Sequence, residues 1–213
     1  MPRPARITVR ELAAGVRDDL LQWDRGIVGT FIGLLWNPGH VIRAFLEERD
    51  ERYAKPWRYL VFGVLVNVAA AWFVLDNLGY RETLGLNQQS EQINVLLDNA
   101  AFITLLVLPI VALVMRVCFM GLNVRYIDAM VTLFYTQGQV NLFGVASVAA
   151  MALSGSQAAN VPFVVLTLIY FLWAWASVAS GPLWRRVLAA ALTLILGQIV
   201  NGAIVYAVVA FLL

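Results

Sequence analysis

Cysteine and histidine are almost absent from this 213-residue sequence, which contains only Cys118 and His40. A single cysteine excludes a disulfide within the chain, and one cysteine with one histidine cannot complete a zinc site from this chain alone. His40 lies in the N-terminal region, out of reach of any serine expected deeper in the fold, so we expect no Ser-His catalytic pair. The sequence therefore predicts no metal centre and no catalytic site of these kinds.

Charged residues are also scarce. They make up 13% of the chain, whereas 61% is hydrophobic and the mean hydropathy is +0.77. Soluble domains are about half apolar and one quarter charged, so a soluble fold of this size could not cover so much apolar surface. Ten of the fifteen Lys and Arg and eight of the thirteen Asp and Glu lie in residues 1–58. The sequence thus divides into a polar head, residues 1–56, and an apolar body, residues 57–213.

The body contains five long apolar runs. About 20 mostly apolar residues are needed for a helix to cross the hydrocarbon core of a membrane. The predicted fold class is an all-α integral membrane protein with about five transmembrane helices, preceded by cytoplasmic or interfacial amphipathic helices. The predicted spans cover about 57–78, 100–120, 129–153, 161–181 and 187–213.

The basic residues predict the orientation of these spans. Lys and Arg accumulate on the cytoplasmic side of membrane proteins. With the head inside, fourteen of the fifteen basic residues are cytoplasmic, and Arg81 is the exception. We expect a multi-pass protein of the bacterial inner membrane with a cytoplasmic N-terminus and an outer C-terminus.

The central parts of the predicted spans contain no Asp, Glu, His, Lys or Arg. Proton relays and charged ion sites of pumps and coupled transporters use such groups. A glycine-rich phosphate loop is also missing. We therefore expect no enzyme activity, no catalytic residue, no cofactor, no metal and no nucleic-acid partner.

Amide side chains are the polar groups that do occur at membrane depth. Gln137 and Asn141 are four residues apart, and Gln198 and Asn201 are three apart, so each pair shares one helix face. We expect these amides to bring the first, third and fifth spans together, either as interhelical hydrogen bonds or as a polar groove for a lipid headgroup or small solute. The candidate groove residues are Asn67, Gln137, Gln139, Asn141, Gln198 and Asn201.

The head has the pattern of amphipathic helices. The ten apolar residues Ile27–Trp36 are too few to span a membrane and are expected to be interfacial or re-entrant. Asn37 is expected to cap a second helix with Pro38 at its first position. The head either anchors the first span or docks a partner protein. The candidate partner-binding residues are Trp23, Asp24, Arg25, Pro38, Gly39, Arg43, Phe45 and Tyr53.

Short motifs run through the head in a fixed order. They include Arg6-Ile7-Thr8, Asp24-Arg25-Gly26, Pro38-Gly39, Arg43-Ala44-Phe45-Leu46, Arg52-Tyr53 and Arg58-Tyr59-Leu60. The set resembles the head of an uncharacterised bacterial membrane family, one of the domains of unknown function, and the span layout more distantly resembles Yip-type five-span proteins. Many members of that family carry a Cys-rich zinc ribbon before this head, which this sequence lacks. The resemblance implies a membrane architecture and no chemistry.

Two functions remain open at this point. The first is a non-enzymatic membrane scaffold or adaptor whose head binds a protein partner or a second copy of the chain. The alternative is a lipid or small-solute transporter or scramblase that uses the polar groove. Both require the lipid bilayer as the surrounding medium.

Overall fold

The structure, a computed structural model, describes residues 26–48, 50–74 and 91–212, and it contains no strand within these ranges. The all-helical prediction is confirmed for this part of the chain. A π-helical turn at Ala44–Glu48 and a short 3₁₀ helix at Gln157–Asn160 accompany the α-helices. The α-helices are α1 (Gly26–Trp36), α2 (Pro38–Arg43), α3 (Pro56–Trp72), α4 (Glu91–Cys118), α5 (Tyr126–Ser154), α6 (Val161–Val178) and α7 (Leu183–Leu212).

Helices α3 to α7 occupy the five predicted spans in order. α4 begins at Glu91 rather than at about residue 100, and α7 begins at Leu183 rather than at about residue 187. Two stretches are long and apolar enough to cross a membrane, Gln157–Val178 and Leu183–Val208. The remaining predicted spans do not meet that criterion over the described residues.

Local chemistry explains where the shorter helices begin and end. α1 stops before Asn37, whose side-chain Oδ1 accepts a hydrogen bond from the His40 backbone N–H at 3.1 Å. Pro38 occupies the first turn of α2, where a missing N–H costs nothing. The predicted cap is confirmed. At the far end of α5, Gly155 adopts a left-handed conformation with φ +62°, which a glycine tolerates without strain.

The head and the bundle share one apolar cluster. Ile27 and Leu34 of α1 and Val41 of α2 are buried in contact with a group that includes Tyr59 of α3 and Tyr135 of α5. Apolar burial of this kind is the main source of attachment between helices in water and sets their relative position. The part of the head from residue 26 onward is therefore packed against the bundle.

α5 is the central helix of the bundle. It packs against α3, α4 and α6, while α7 packs mainly against α4 and α6. Large apolar side chains of α5 are exposed only near its two ends, at Tyr126, Ile127 and Leu153. α3 and α5 cross closely at Gly63 and Gly138, where a Cβ added to Gly63 would overlap the Gly138 carbonyl.

The outer helices expose apolar side chains instead. On α3 the exposed residues Val61, Leu65, Val68 and Trp72 follow one face at helical spacing. α4, α6 and α7 show similar exposed apolar residues. Soluble monomers rarely expose contiguous apolar areas of this extent, so the outside of the bundle is suited to lipid.

The basic residues of the described ranges gather at one end of the bundle. This end contains the start of α3, the α4–α5 turn and the α6–α7 turn. Three contacts hold these segments together: the Ser180 N–H donates to the Leu122 carbonyl at 3.2 Å, the Tyr135 hydroxyl donates to the Ala54 carbonyl at 2.7 Å, and Arg43 donates to the Ser177 carbonyl. We call it the arginine end; it carries Arg43, Arg52, Lys55, Arg58, Arg116, Arg125, Arg185 and Arg186.

Candidate functional site

Two of the predicted groove amides meet between α3 and α5. The Asn67 Nδ2 donates to the Asn141 Oδ1 at 3.1 Å, and the Asn141 Nδ2 donates to the Gln137 backbone carbonyl at 2.8 Å. Gly144 leaves the space for this contact, because a Cβ there would lie 2.7 Å from the Asn67 Oδ1. These amides thus link two helices.

A second polar contact lies two residues earlier on α5 and about two turns earlier on α3. The Tyr59 hydroxyl of α3 donates to the Oε1 of Gln139, and both side chains are fully buried. Among the described residues, the Gln139 Nε2 finds no hydrogen-bond partner, and neither does the buried hydroxyl of Tyr170 on α6. Tyr170 packs edge-on against Phe143 of α5, with ring centroids 5.3 Å apart.

Two further bonds tie α5 to the segment that follows it. The Trp175 indole N–H of α6 donates to the Thr136 Oγ1 at 3.2 Å. The Ser147 hydroxyl donates to the Asn160 Oδ1 at 2.6 Å, so the side chain of Asn160, the residue before α6, bonds to α5 and makes no capping hydrogen bond to α6.

Sequence reasoning missed Tyr59, Thr136 and Trp175 as polar partners. The groove was predicted from the positions of amide side chains, whereas these residues carry hydroxyl or indole groups on otherwise apolar helices. Tyr59 also lies near a predicted span boundary, where an aromatic ring is expected at the lipid interface. The structure instead buries it between α3 and α5.

The expectation that the fifth span joins the first and third is wrong. Gln198 is exposed and Asn201 is half-buried on α7. The small side chains of α7 pack against α4: a Cβ on Gly197 would lie 3.4 Å from Val111. A small-residue face permits close approach to any neighbour and does not specify which helix it meets.

The described head candidates attach the head to the bundle. Pro38 and Gly39 are buried, and a Cβ on Gly39 would lie 2.7 Å from the Ser177 carbonyl oxygen of α6. The Arg43 Nη1 donates to the same carbonyl at 2.8 Å. Phe45 packs edge-on against Tyr135, with centroids 6.1 Å apart.

Tyr53 is the remaining described head candidate. It is half-buried, with its ring 6.3 Å from that of His40 and beside Gly33. Trp23, Asp24 and Arg25 lie outside the described residues.

One face of α1 makes no contact of this kind with the residues that the structure describes. Val28, Ile32 and Trp36 recur every four residues and are exposed, with 80% of Trp36 accessible. They form the outward stripe of α1. Because α1 is fixed on the bundle through its other face, this stripe has a defined position at the arginine end.

Ion pairs are confined to the arginine end in the part of the chain that the structure describes. Hydrogen bonds from Arg52 hold the pKa of the Asp50 carboxyl below its ordinary value. Hydrogen bonds from Arg125 to Asp128 raise the pKa of Arg125. No group of three metal-ligating His, Cys, Asp or Glu side chains occurs across the described ranges.

The head and the start of α3 correspond to a known sequence family of unestablished role. Residues 24–67 match the family described as Protein of unknown function (DUF3667). The DUF3667 segment includes α1, α2 and α3 as far as Asn67, so it holds the α3 side of both the Tyr59–Gln139 and the Asn67–Asn141 contacts. This match supports the resemblance to an uncharacterised domain family, but it supports neither the Yip-type likeness nor a zinc ribbon. No curated protein and no solved structure matches the chain.

Proposed function

We propose that this protein is a multi-pass inner-membrane adaptor that holds its DUF3667 head at the cytoplasmic face for a protein partner. The observation that carries the membrane part is the distribution of polarity. Polar side chains such as Asn67, Thr136 and Gln139 lie inside the bundle, and exposed apolar residues cover its outer helices. Such an arrangement suits a solvent that is itself apolar.

The proposal places all five helices α3 to α7 across the membrane. α5 has 29 residues, enough for the hydrocarbon core, and its polar groups bond to neighbouring helices. A central helix can therefore be less apolar than its neighbours and still span. The described basic residues gather at one end, which supports a cytoplasmic arginine end and an outer C-terminus.

The adaptor role is supported by the way the head is held. Gly39, Arg43 and Phe45 fix α2 and the π-helical turn after it on α6 and α5, so the outward stripe of α1 has one orientation relative to the membrane. Three exposed apolar side chains in one row are typical of a surface that a partner helix covers. The hydrogen bonds between α3, α5 and α6 hold the helices of the bundle together.

The test is capture of a partner by the full chain in mild detergent after crosslinking in cells. We expect Trp36→Ala to lose the co-purified protein, because Trp36 is the most exposed residue of the stripe. Trp184→Ala is the matched control, since Trp184 is an exposed tryptophan at the same end that belongs to α7. Equal recovery from both variants, or no reproducible partner with the unchanged chain, contradicts the adaptor role.

A second function, movement of a lipid or small polar solute, is favoured by one observation. The Gln139 Nε2 and the Tyr170 hydroxyl are buried inside the bundle without a described hydrogen-bond partner. Such groups are costly unless something polar reaches them. Under this proposal Gln139→Leu abolishes lipid scrambling or solute uptake in liposomes, while Gln198→Leu, at an exposed amide, leaves it intact. An unchanged rate in Gln139→Leu, or no activity in the unchanged protein, counts against transport.

A further inference from the structure

The turn between α4 and α5 forms a cleft of about 450 Å³ at the arginine end. Two of its lining side chains, Arg116 and Arg125, are cationic. The remaining lining residues are Phe119, Met120, Gly121, Asn123 and Val124. No candidate groove residue contributes to this cleft, so it is separate from the contacts between α3 and α5.

The turn is held in one shape by its own contacts. Phe119 and Leu122 are buried, and the Leu122 N–H donates to the Phe119 carbonyl at 3.0 Å. Gly121 and Asn123 have φ values of +81° and +56°, a backbone conformation that reverses the chain within a few residues. The bond from the Ser180 N–H to the Leu122 carbonyl fixes the turn to the α6–α7 connection. The cleft is therefore formed before any ligand arrives.

Arg116 differs from the other arginines of the described ranges. Arg43 and Arg186 donate to backbone carbonyls, and Arg52 and Arg125 pair with carboxylates. Arg58 and Arg185 lie over the rings of neighbouring tryptophans. For Arg116 the described part of the chain supplies neither an acidic partner, a hydrogen bond nor a ring contact, and the residue is exposed.

Arg125 adds further donors beside Arg116. Its Nε and Nη2 bond to Asp128 at 3.1 and 3.0 Å. A guanidinium has five N–H donors, so this pairing uses only part of its capacity. With one carboxylate for two arginines, the lining keeps a positive charge that suits an anion.

The surroundings of Arg116 identify the class of anion. Leu106, Ile110, Leu113 and Val117 are exposed along α4 at spacings of four, three and four residues, and Arg116 lies beside the last of them, near the end of the helix. A cation at the end of an exposed apolar row matches an amphiphile with a phosphate at one end and hydrocarbon at the other. A free phosphate could bind the two arginines, but it would make no favourable contact with the apolar row.

We propose that the α4–α5 cleft binds the phosphate of an anionic phospholipid from the adjoining leaflet, with its acyl chains along Leu113, Ile110 and Leu106. This inference needs the membrane placement proposed above but not the adaptor role. A protein that inserts and captures a partner yet shows no lipid preference would refute only the lipid site.

The experiment is native mass spectrometry of the purified full chain titrated with phosphatidylglycerol or phosphatidylcholine. We expect the unchanged protein to retain phosphatidylglycerol in preference to phosphatidylcholine. Arg116→Gln should weaken phosphatidylglycerol retention about fivefold, the effect of one basic side chain near an anionic membrane surface. Arg185→Gln is the matched control, because Arg185 is an exposed arginine at the same end that does not line the cleft; its retention should stay within about twofold of the unchanged protein.

Three results would overturn the proposal. The first is equal retention of the two lipids by the unchanged protein, which needs no variant to fold. The second is an equal loss in Arg116→Gln and Arg185→Gln, which would indicate attraction to surface charge in general. The third is displacement of phosphatidylglycerol by inorganic phosphate at a similar concentration, which would indicate a site for a free anion.

Discussion

Gly63 and Gly138 decide how closely α3 approaches α5. A Cβ on Gly63 would overlap the carbonyl oxygen of Gly138 and lie 3.0 Å from its carbonyl carbon. Both obstacles are backbone atoms, which cannot rotate away as the end of a side chain can. Tyr59 and Asn67 lie about one turn before and one turn after Gly63 on α3, so their bonds to α5 depend on the same close approach.

We therefore expect Gly63→Ala to lower the midpoint of thermal unfolding, through an overpacking cost of about 1–3 kcal/mol. Gly202→Ala is the control, because nothing lies within 4 Å of a Cβ at Gly202 and alanine favours a helix by about 1 kcal/mol over glycine. Its midpoint should stay the same or rise. Equal midpoints for the unchanged chain and Gly63→Ala would contradict the close crossing.

Individual side-chain partners were only partly predictable from the sequence. An amide inside a span needs a partner, which is why Asn67 and Asn141 could be selected in advance. The choice of partner depends on how each helix is rotated about its own axis, and spacing along one helix does not report that rotation. Gln198 is the instructive failure, since it shares a helix face with a second amide, as Gln137 does, but is exposed.

At the scale of elements, α2 is the joint between the head and the bundle. Its first turn packs Gly39 on Ser177, and the Arg43 Nη1 donates to the Ser177 carbonyl at 2.8 Å. α1 is connected directly to α2 and not to a helix of the bundle. Its position therefore depends on these contacts of α2 and on the shared apolar cluster.

Removing the Arg43 hydrogen bond should loosen α1 and α2 selectively. One bond is worth about 1 kcal/mol, so we expect amide hydrogen exchange across α1 and α2 to become about fivefold faster in Arg43→Ala. Exchange in α7 should not change. Arg58→Ala is the control, because Arg58 lies over Trp57 at the same end. Unchanged exchange in α1 and α2 would mean that the apolar cluster alone holds the head.

The presence of each helix was easier to predict than the residues at which it begins and ends. The cap at Asn37 is a local feature of three residues, and the structure has it as expected. The start of α4 at Glu91 was missed because its first turns contain polar residues such as Gln92 and Asn94, which an apolar-run criterion ignores. The burial of α5 could not be predicted from its sequence either, since it depends on the helices that surround it.

At the scale of the whole molecule, the arrangement is the reverse of that in a soluble bundle, because polar contacts lie inside and apolar faces lie outside. The helix with the most polar contacts, α5, is central, and the apolar faces of α3, α4, α6 and α7 are outward. Composition and charge distribution are averages over the chain, so they predict a membrane class and an orientation without reference to how the helices pack. The pairing of particular helices could not be predicted, because several apolar faces fit one another comparably well.

The central claim is that α5 and α6 cross the membrane, with the α5–α6 connection outside and the α6–α7 connection in the cytoplasm. Its most direct test is labelling of Ser156→Cys and Ser180→Cys, two exposed positions of the same residue type, in a Cys118→Ala background. With a membrane-impermeant maleimide, we expect Ser156→Cys to react in intact cells and Ser180→Cys to react only after permeabilisation. Reaction of both positions in intact cells, or of Ser180→Cys alone, would contradict the claim.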